Sequence, residues 1–450
     1  MAGDRRSFLL RSTAAVAGLL LPGQLNEQIA APTQSTRSEA SSHRKENLAF
    51  TGGFWFDGKG FARRPAWNHT YAIAGELTSK KPARVDSVID LKTLFIVPPF
   101  GESHNHNAVF SSEEQWARIR EMYLAAGIFY IKNPANLPRA AAPLVGRIDI
   151  PTSVDVVFSH GVLTATDGHP LGLVKRNVDR GGMLASDADR GFCWIIDNRA
   201  ELDSKWPRIV AGKPDFIKNI LVYSEEYEKR RDDKKYFTWK GLNPALLPEI
   251  VSRAHHAGLR VSTHVESAFD FHSALIAGSD EINHLPGFRP ENDDIAIGYQ
   301  NLMRYRISEE DARLAARKKV VVVTTCGRTI EATFNPPAGA KNPEGVREML
   351  THNLQILRRH GVPIAVGSDS FRQTAQPEAL SLSRSGALDN LTLLKMWTEI
   401  TALTIFPRRK IGHLNDGYEA SFLGLSGDPI KDFTNVQRIE MKIKQGIVLV

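Results

Sequence analysis

The chain has 450 residues, with 57 Lys and Arg against 50 Asp and Glu for a formal charge of +7, 14 His and 2 Cys. Two cysteines exclude a disulfide framework or a thiolate zinc cluster, so any bound metal must rest on nitrogen and oxygen ligands. An apolar fraction of 42% with 24% charged residues excludes wholesale disorder, and the small, dispersed charge points to no nucleic-acid partner.

Residues 1–31 read as an export leader. Arg5-Arg6, then Ser7-Phe8-Leu9-Leu10-Arg11, precede the apolar run Ser12–Leu21, which Pro22-Gly23 closes. That run is too short to span ~30 Å of hydrocarbon as a helix. Ala30-Ala31 supplies small residues for cleavage. The pattern resembles a twin-arginine export signal, which implies a periplasmic or secreted protein with no stable membrane span in the mature chain. Residues 32–47 are polar and read as a flexible linker.

Residues 48–98 have β character: Leu48–Thr51, Gly53–Phe56 and Thr70–Ala74 are short apolar runs broken by turns. From residue 99 to 405 the texture changes, and short apolar runs alternate with helical spacing. The predicted strands are Phe100–His106, Gly127–Lys132, Ser153–Ser159, Asp215–Val222, Arg260–Val265, Glu281–His284, Lys319–Thr325 and Pro363–Asp369. Predicted helices include Glu113–Ala126, Asn243–Ala257, Phe269–Ala277, Glu309–Arg317 and Pro343–His360. Eight strands in this span match a TIM-like (β/α)8 barrel of typically ~250 residues. Residues 406–450 return to β character, with Glu419–Leu425 and Ile439–Val450 alternating like strands. The expected fold is therefore α/β: a barrel with a small composite β-sandwich built from both ends of the chain.

His104-Asn105-His106 follows the apolar run from Phe95. Side chains two apart on a strand share one face, and two inward imidazoles need a ligand or hydrogen-bond partners. Taken alone the pair fits a structural role nearly as well. Four further residues close their own predicted strands: Lys218, His264, His284 and Asp369. Any one of them has an ordinary explanation in a salt bridge, a buried hydrogen bond or a helix cap. Their order along strands one, four, five, six and eight does not.

With this order, the chain resembles the metal-dependent amidohydrolase superfamily in its two-metal form. Thr263-His264-Val265-Glu266 and Ala274–His284 are similar to the branch holding imidazolonepropionase and the carboxylated-lysine dipeptidases. The resemblance implies that His104, His106 and Asp369 hold one divalent ion, that His264 and His284 hold a second, and that Lys218, carboxylated by carbon dioxide, bridges them. It implies zinc, with manganese, cobalt or iron as other occupants. It implies an enzyme acting on a small molecule: hydrolysis of a non-standard amide or dipeptide-type C–N bond by a metal-bridging hydroxide, with Asp369 moving the proton.

His169 in Thr166-Asp-Gly-His resembles a substrate-contacting loop of that branch, and His160 and Tyr223 are further substrate candidates near the mouth. Ser103 stands where the family is expected to carry an Asp. The charged segment 225–240 reads as a solvated helical face, with a lid as the alternative. Cys193 and Cys326 read as small buried fillers. Two other readings remain: lactone or phosphotriester cleavage at the same site, and a non-catalytic exported binding protein with a relic site. An oligomer is compatible with all of these.

Overall fold

The computed structural model describes residues 46–63, 70–289, 301–338, 340 and 342–449. The expected export leader, residues 1–31, and residues 32–45 of the expected linker lie outside the described residues.

The first seven strands are β1 Leu48–Thr51, β2 Phe54–Phe56, β3 Phe61–Arg63, β4 Thr70–Ile73, β5 Glu76–Thr78, β6 Ser87–Asp90 and β7 Phe95–Val97. The central ten are β8 Phe100–Glu102, β9 Ile128–Asn133, β10 Asp155–Phe158, β11 Val162–Thr164, β12 Cys193–Ile195, β13 Phe216–Ile220, β14 Arg260–His264, β15 Glu281–Asn283, β16 Val321–Val323 and β17 Ile364–Ala365. The chain closes with β18 Phe422–Leu425, β19 Ile439–Lys444 and β20 Ile447–Leu449.

β8, β9 and β10 pair in parallel, and so do β11, β13, β14, β15, β16 and β17 in that order. β10 and β11 are two halves of one barrel strand, broken at His160-Gly161 where both residues have positive φ. Both halves lie beside the same neighbour: Asp215 N–H donates to Phe158 C=O at 2.8 Å, and Leu163 pairs with Asn219. The circle closes between the first and last strands, where Ser103 N–H donates to Val366 C=O at 2.9 Å and Asn105 bridges Ser370. Eight parallel strands thus form an α/β barrel, as the alternation of apolar runs predicts.

Three differences from the sequence reading have local causes. The observed strands are shorter; strand eight is only Ile364–Ala365, and at Gly367 the chain packs closely against Val323 and His104. A three-residue strand, β12, pairs outside β11 and was not expected. Lys218 sits in the middle of β13 rather than at its end.

The helices between strands carry ordinary start and stop chemistry. Ser112 caps Glu113–Ala125 by accepting Gln115 N–H, with Glu113 and Glu114 favourably placed in the first turn. Ser267 and Asp270 form a capping box on Ala268–Ala277, which Gly278 ends at φ 88°.

The flanking unit is two sheets, β5-β4-β1-β6 and β20-β19-β18-β7-β2-β3. The second joins both ends of the chain through the antiparallel β18–β7 pairing. Phe50 meets Phe422 edge-on at 5.0 Å, and Trp55 lies 5.4 Å from the same ring, so an aromatic core holds sheet to sheet. Among the described residues, no helix is long and apolar enough to cross a membrane.

Candidate metal centre

His104 and His106 lie just past β8, and hydrogen bonds to both neighbouring strands fix them. Asn105 N–H donates to Lys132 C=O at 3.1 Å, and Asp369 N–H donates to His104 C=O at 2.9 Å. Gly367 makes this approach possible: a Cβ there would stand 2.8 Å from the His104 backbone nitrogen and 2.7 Å from Val323. His264 ends β14, and His284 follows β15 directly. His284, Thr325, Asp369 and Tyr223 all adopt the left-handed backbone region, a local strain that clusters at this end of the barrel.

Together these elements build a continuous row of imidazoles. Ring centroids run from His106 to His104 at 5.3 Å, to His284 at 4.7 Å, to His264 at 4.3 Å and to His169 at 4.8 Å. At one end, His104 Nε2 and His106 Nε2 face the same Asp369 oxygen at 3.3 and 2.9 Å. Their ligand atoms and that of Asp369 all fall within 4.8 Å of one another. The Nδ1 atoms of His104 and His106 are buried with no hydrogen-bond partner.

The electrostatics favour cation ligation. Burial first, then the nearby Lys218 charge, push His104 down to about 3. Burial likewise takes His169, His264 and His284 well below the usual histidine value, so these rings are neutral and can donate lone pairs. Enclosure would raise the Asp369 carboxyl, but hydrogen bonds from His104 and His106 hold it well below the usual range, as an anion. Burial pushes Lys218 down to about 7 against the opposing pull of Asp369 and Glu281, so its neutral amine is accessible near neutrality. Its Nζ donates to Asn283 Oδ1. His264 Nε2 faces Glu266 Oε1 at 3.1 Å, and His284 Nδ1 faces Thr325 Oγ1 at 2.6 Å, which fixes each ring. Neutral imidazoles, one anionic carboxylate and the two unpartnered ring nitrogens fit divalent cations with nitrogen and oxygen ligands.

Comparison with known proteins places this barrel. No family model matches the chain. Ochratoxinase of Aspergillus niger is 26% identical over 230 residues, a stretch covering 48% of this chain and 42% of ochratoxinase, so the chain matches less than half of that relative's length. The crystal structure of A. niger ochratoxinase superposes with a TM-score of 0.67 at 18% identity, covering 90% of this chain and 95% of that one. A crystal structure of an amidohydrolase superposes at 0.65, with 18% identity over 90% of this chain and 99% of that one. A Xaa-Pro dipeptidase with methionine bound in its active site gives 0.65 and 15%, covering 89% and 99%. The fold is that of the amidohydrolases.

Within this amidohydrolase fold the expected residues do not all converge. His169 joins the row through His264. His160 does not: it faces Asn136 Nδ2 at 3.1 Å and stacks on Phe158, at the break in strand three. The Tyr223 hydroxyl meets that of Tyr305 at 3.2 Å, while Tyr223 N–H donates to the buried Asp270.

Ser103 donates to Val366 C=O, and the buried carboxylate of this segment is instead its neighbour Glu102, which accepts Ser368 N–H at 2.8 Å. Segment 225–240 is a set of short helical turns whose charged side chains are mostly exposed or half-buried, as expected of a solvated face. Its Arg230 is buried, stacks on Tyr223 at 4.4 Å and donates to Trp239 C=O.

Sequence reasoning missed Glu266 and Arg289. Glu266 is fully buried; its Oε1 takes both His264 and the Arg289 guanidinium at 2.5 Å. Two clues were visible: a carboxylate two residues after a strand-end histidine, and an arginine five residues after another.

Proposed function

We propose that the chain is a metal-dependent hydrolase that cleaves an amide-type C–N bond in a small molecule such as a dipeptide or N-acyl amino acid. The observation that carries this reading is the His106–His104–His284–His264 row closing on Asp369 beside Lys218 at the barrel mouth. The likeness to ochratoxinase, by sequence and by fold, supports it.

In this reading His104, His106 and Asp369 would hold one divalent ion, His264 and His284 would hold another, and Lys218, once carboxylated, would supply oxygen ligands to them. The donor set suits zinc, with manganese, cobalt or iron as other occupants. Such ions supply Lewis acidity toward the scissile carbonyl and bring the pKa of a water toward neutrality.

The chain's own residues do the remaining work. Carbon dioxide would add to the neutral Lys218 amine with loss of one proton from the nitrogen, turning a neutral nitrogen donor into an anionic oxygen donor. Asp369 takes a proton from the attacking water at its carboxylate and delivers it to the leaving nitrogen. Glu266 and Thr325 hold His264 and His284 in fixed rotamers and tautomers. His169 is placed beside His264 to meet the substrate, while the buried Tyr223, paired with Tyr305, acts as packing behind the site. The export leader assigns this activity to the periplasm or the exterior.

The deciding experiment combines elemental analysis of the exported protein with a screen of dipeptides and N-acyl amino acids. Turnover that chelation removes and metal restores is expected. Metal-replete protein that cleaves no amide overturns the reading, and cleavage of lactones or phosphotriesters alone transfers it to those electrophiles.

A further inference from the structure

The loop that follows Asp369 carries an aromatic ring in an unusual setting. Phe371 is 38% exposed, yet its ring stacks on His106 at 4.7 Å with an interplanar angle of 18°. Exposed apolar side chains on loops ordinarily gain by being mobile, but this loop is tied down on both sides. His106 N–H donates to Ser370 C=O at 3.0 Å. The side-chain amides of the buried Asn105 and Asn107 both donate to Gln373 C=O at 2.9 Å, and Asn105 also donates to Ser368 Oγ at 3.1 Å. Ser370 Oγ accepts the N–H groups of Arg372 and Gln373, closing a tight turn directly under Phe371.

Two buried asparagines flanking the metal-ligating histidines therefore hold an apolar ring in place at the mouth. One face of that ring lies on an imidazole. The rest stays partly in water, and a ring already held in place lowers the cost of binding a matching group. Farther along the imidazole row, Phe288 stacks on His284, the third of the five rings, and the Arg289 guanidinium lies over Phe288 and Trp239. Phe288 is only 5% exposed, so of these two rings stacked on the row Phe371 is the one that offers an open face.

We propose that Phe371 is a specificity-determining residue that selects substrates whose acyl group is planar and aromatic, by stacking that group on its open face. This deepens the proposed hydrolase reading and rests on it for the word substrate, but the test of binding is separate. The probes are benzoate and acetate, acyl products that cannot themselves be hydrolysed, titrated calorimetrically into metal-loaded protein.

Wild type should bind benzoate about tenfold more tightly than acetate, Phe371→Ala should reduce that ratio below about threefold, and Phe371→Tyr should retain it. Metal content per chain should be the same in all three proteins, which a purely structural role in shielding His106 would not give. An unchanged ratio in Phe371→Ala, no preference in wild type, or loss of metal from Phe371→Ala each overturns the inference. Turnover of N-benzoylglycine and N-acetylglycine by wild type judges the hydrolase reading independently. Turnover of either supports that reading, failure across the full dipeptide and N-acyl amino acid screen sinks it, and in both cases the binding result stands on its own.

Discussion

Two polar regions share the interior of one barrel, a strand's length apart, and they are built on opposite principles. Toward the floor, the buried Glu281 accepts from Lys132 Nζ at 2.9 Å, Ser262 Oγ at 2.7 Å, Asn283 Nδ2 at 2.8 Å and Thr404 Oγ1 at 2.6 Å. Each donor is itself buried, and Lys132 also lies 4.2 Å over the Phe216 ring. At the mouth, three residues along the same strand, imidazole nitrogens are buried without partners and the backbone is strained. A satisfied network specifies a structure, whereas an unsatisfied one is retained for something it binds. Lys218 is the link, since its Nζ reaches up among the histidines while Asn283 ties it to the floor.

Substitutions at the two levels should therefore fail in different ways. The largest effect belongs to the mouth: Asp369→Asn should lower kcat by about 10²–10⁴-fold, the range for losing a positioned acid–base group, with thermal stability and most of the metal retained. Wild-type turnover in that variant would remove Asp369 from the mechanism.

At the floor, Glu281→Ala should destabilise by about 3–5 kcal/mol in denaturant titrations, because it strands the Lys132 cation in the core. The same network gives a pH signature. Burial alone would raise the Glu281 carboxyl, but Lys132, Arg260 and the Thr404 hydroxyl draw it down to about 2 from the ordinary 4.5. A depressed carboxyl contributes stability that is complete above its unfolded value and is lost as the proton is taken up. Acid unfolding should therefore steepen between about 4.5 and 2, and Glu281→Gln should flatten that segment.

Divalent cation at a hundred times its Kd should add about 2.7 kcal/mol to wild type, reversed by a chelator. Thr404→Val should cost only about 1 kcal/mol, the value of one hydrogen bond, and leave the metal increment untouched. A Thr404 variant that loses the metal increment would erase the distinction between the levels.

The sequence exposed these levels unequally. The eight apolar runs of the barrel are legible because each breaks on turn residues, and the mouth is legible because a His, Lys or Asp interrupts or ends such a run. The floor is hidden: Glu281 meets Lys132 across 149 residues and Thr404 across 123, and no local pattern signals either pairing. In segment 225–240 charge correctly signals a mostly solvated face, but not that Arg230 packs inward on Tyr223. The break in strand three also escaped, since His160 enters the left-handed region without being glycine. The Ser103 departure turned out to sit beside the carboxylate that matters, because Glu102, one residue earlier, points into the core and holds the strand-eight loop.

The central claim is that the imidazole row is a two-metal centre. Elemental analysis of purified protein, repeated for His284→Ala and Lys218→Met, tests it most directly. The account predicts two divalent ions per chain in wild type, and loss of the second ion in either variant. Less than one ion per chain in wild type after incubation with zinc and bicarbonate would contradict it.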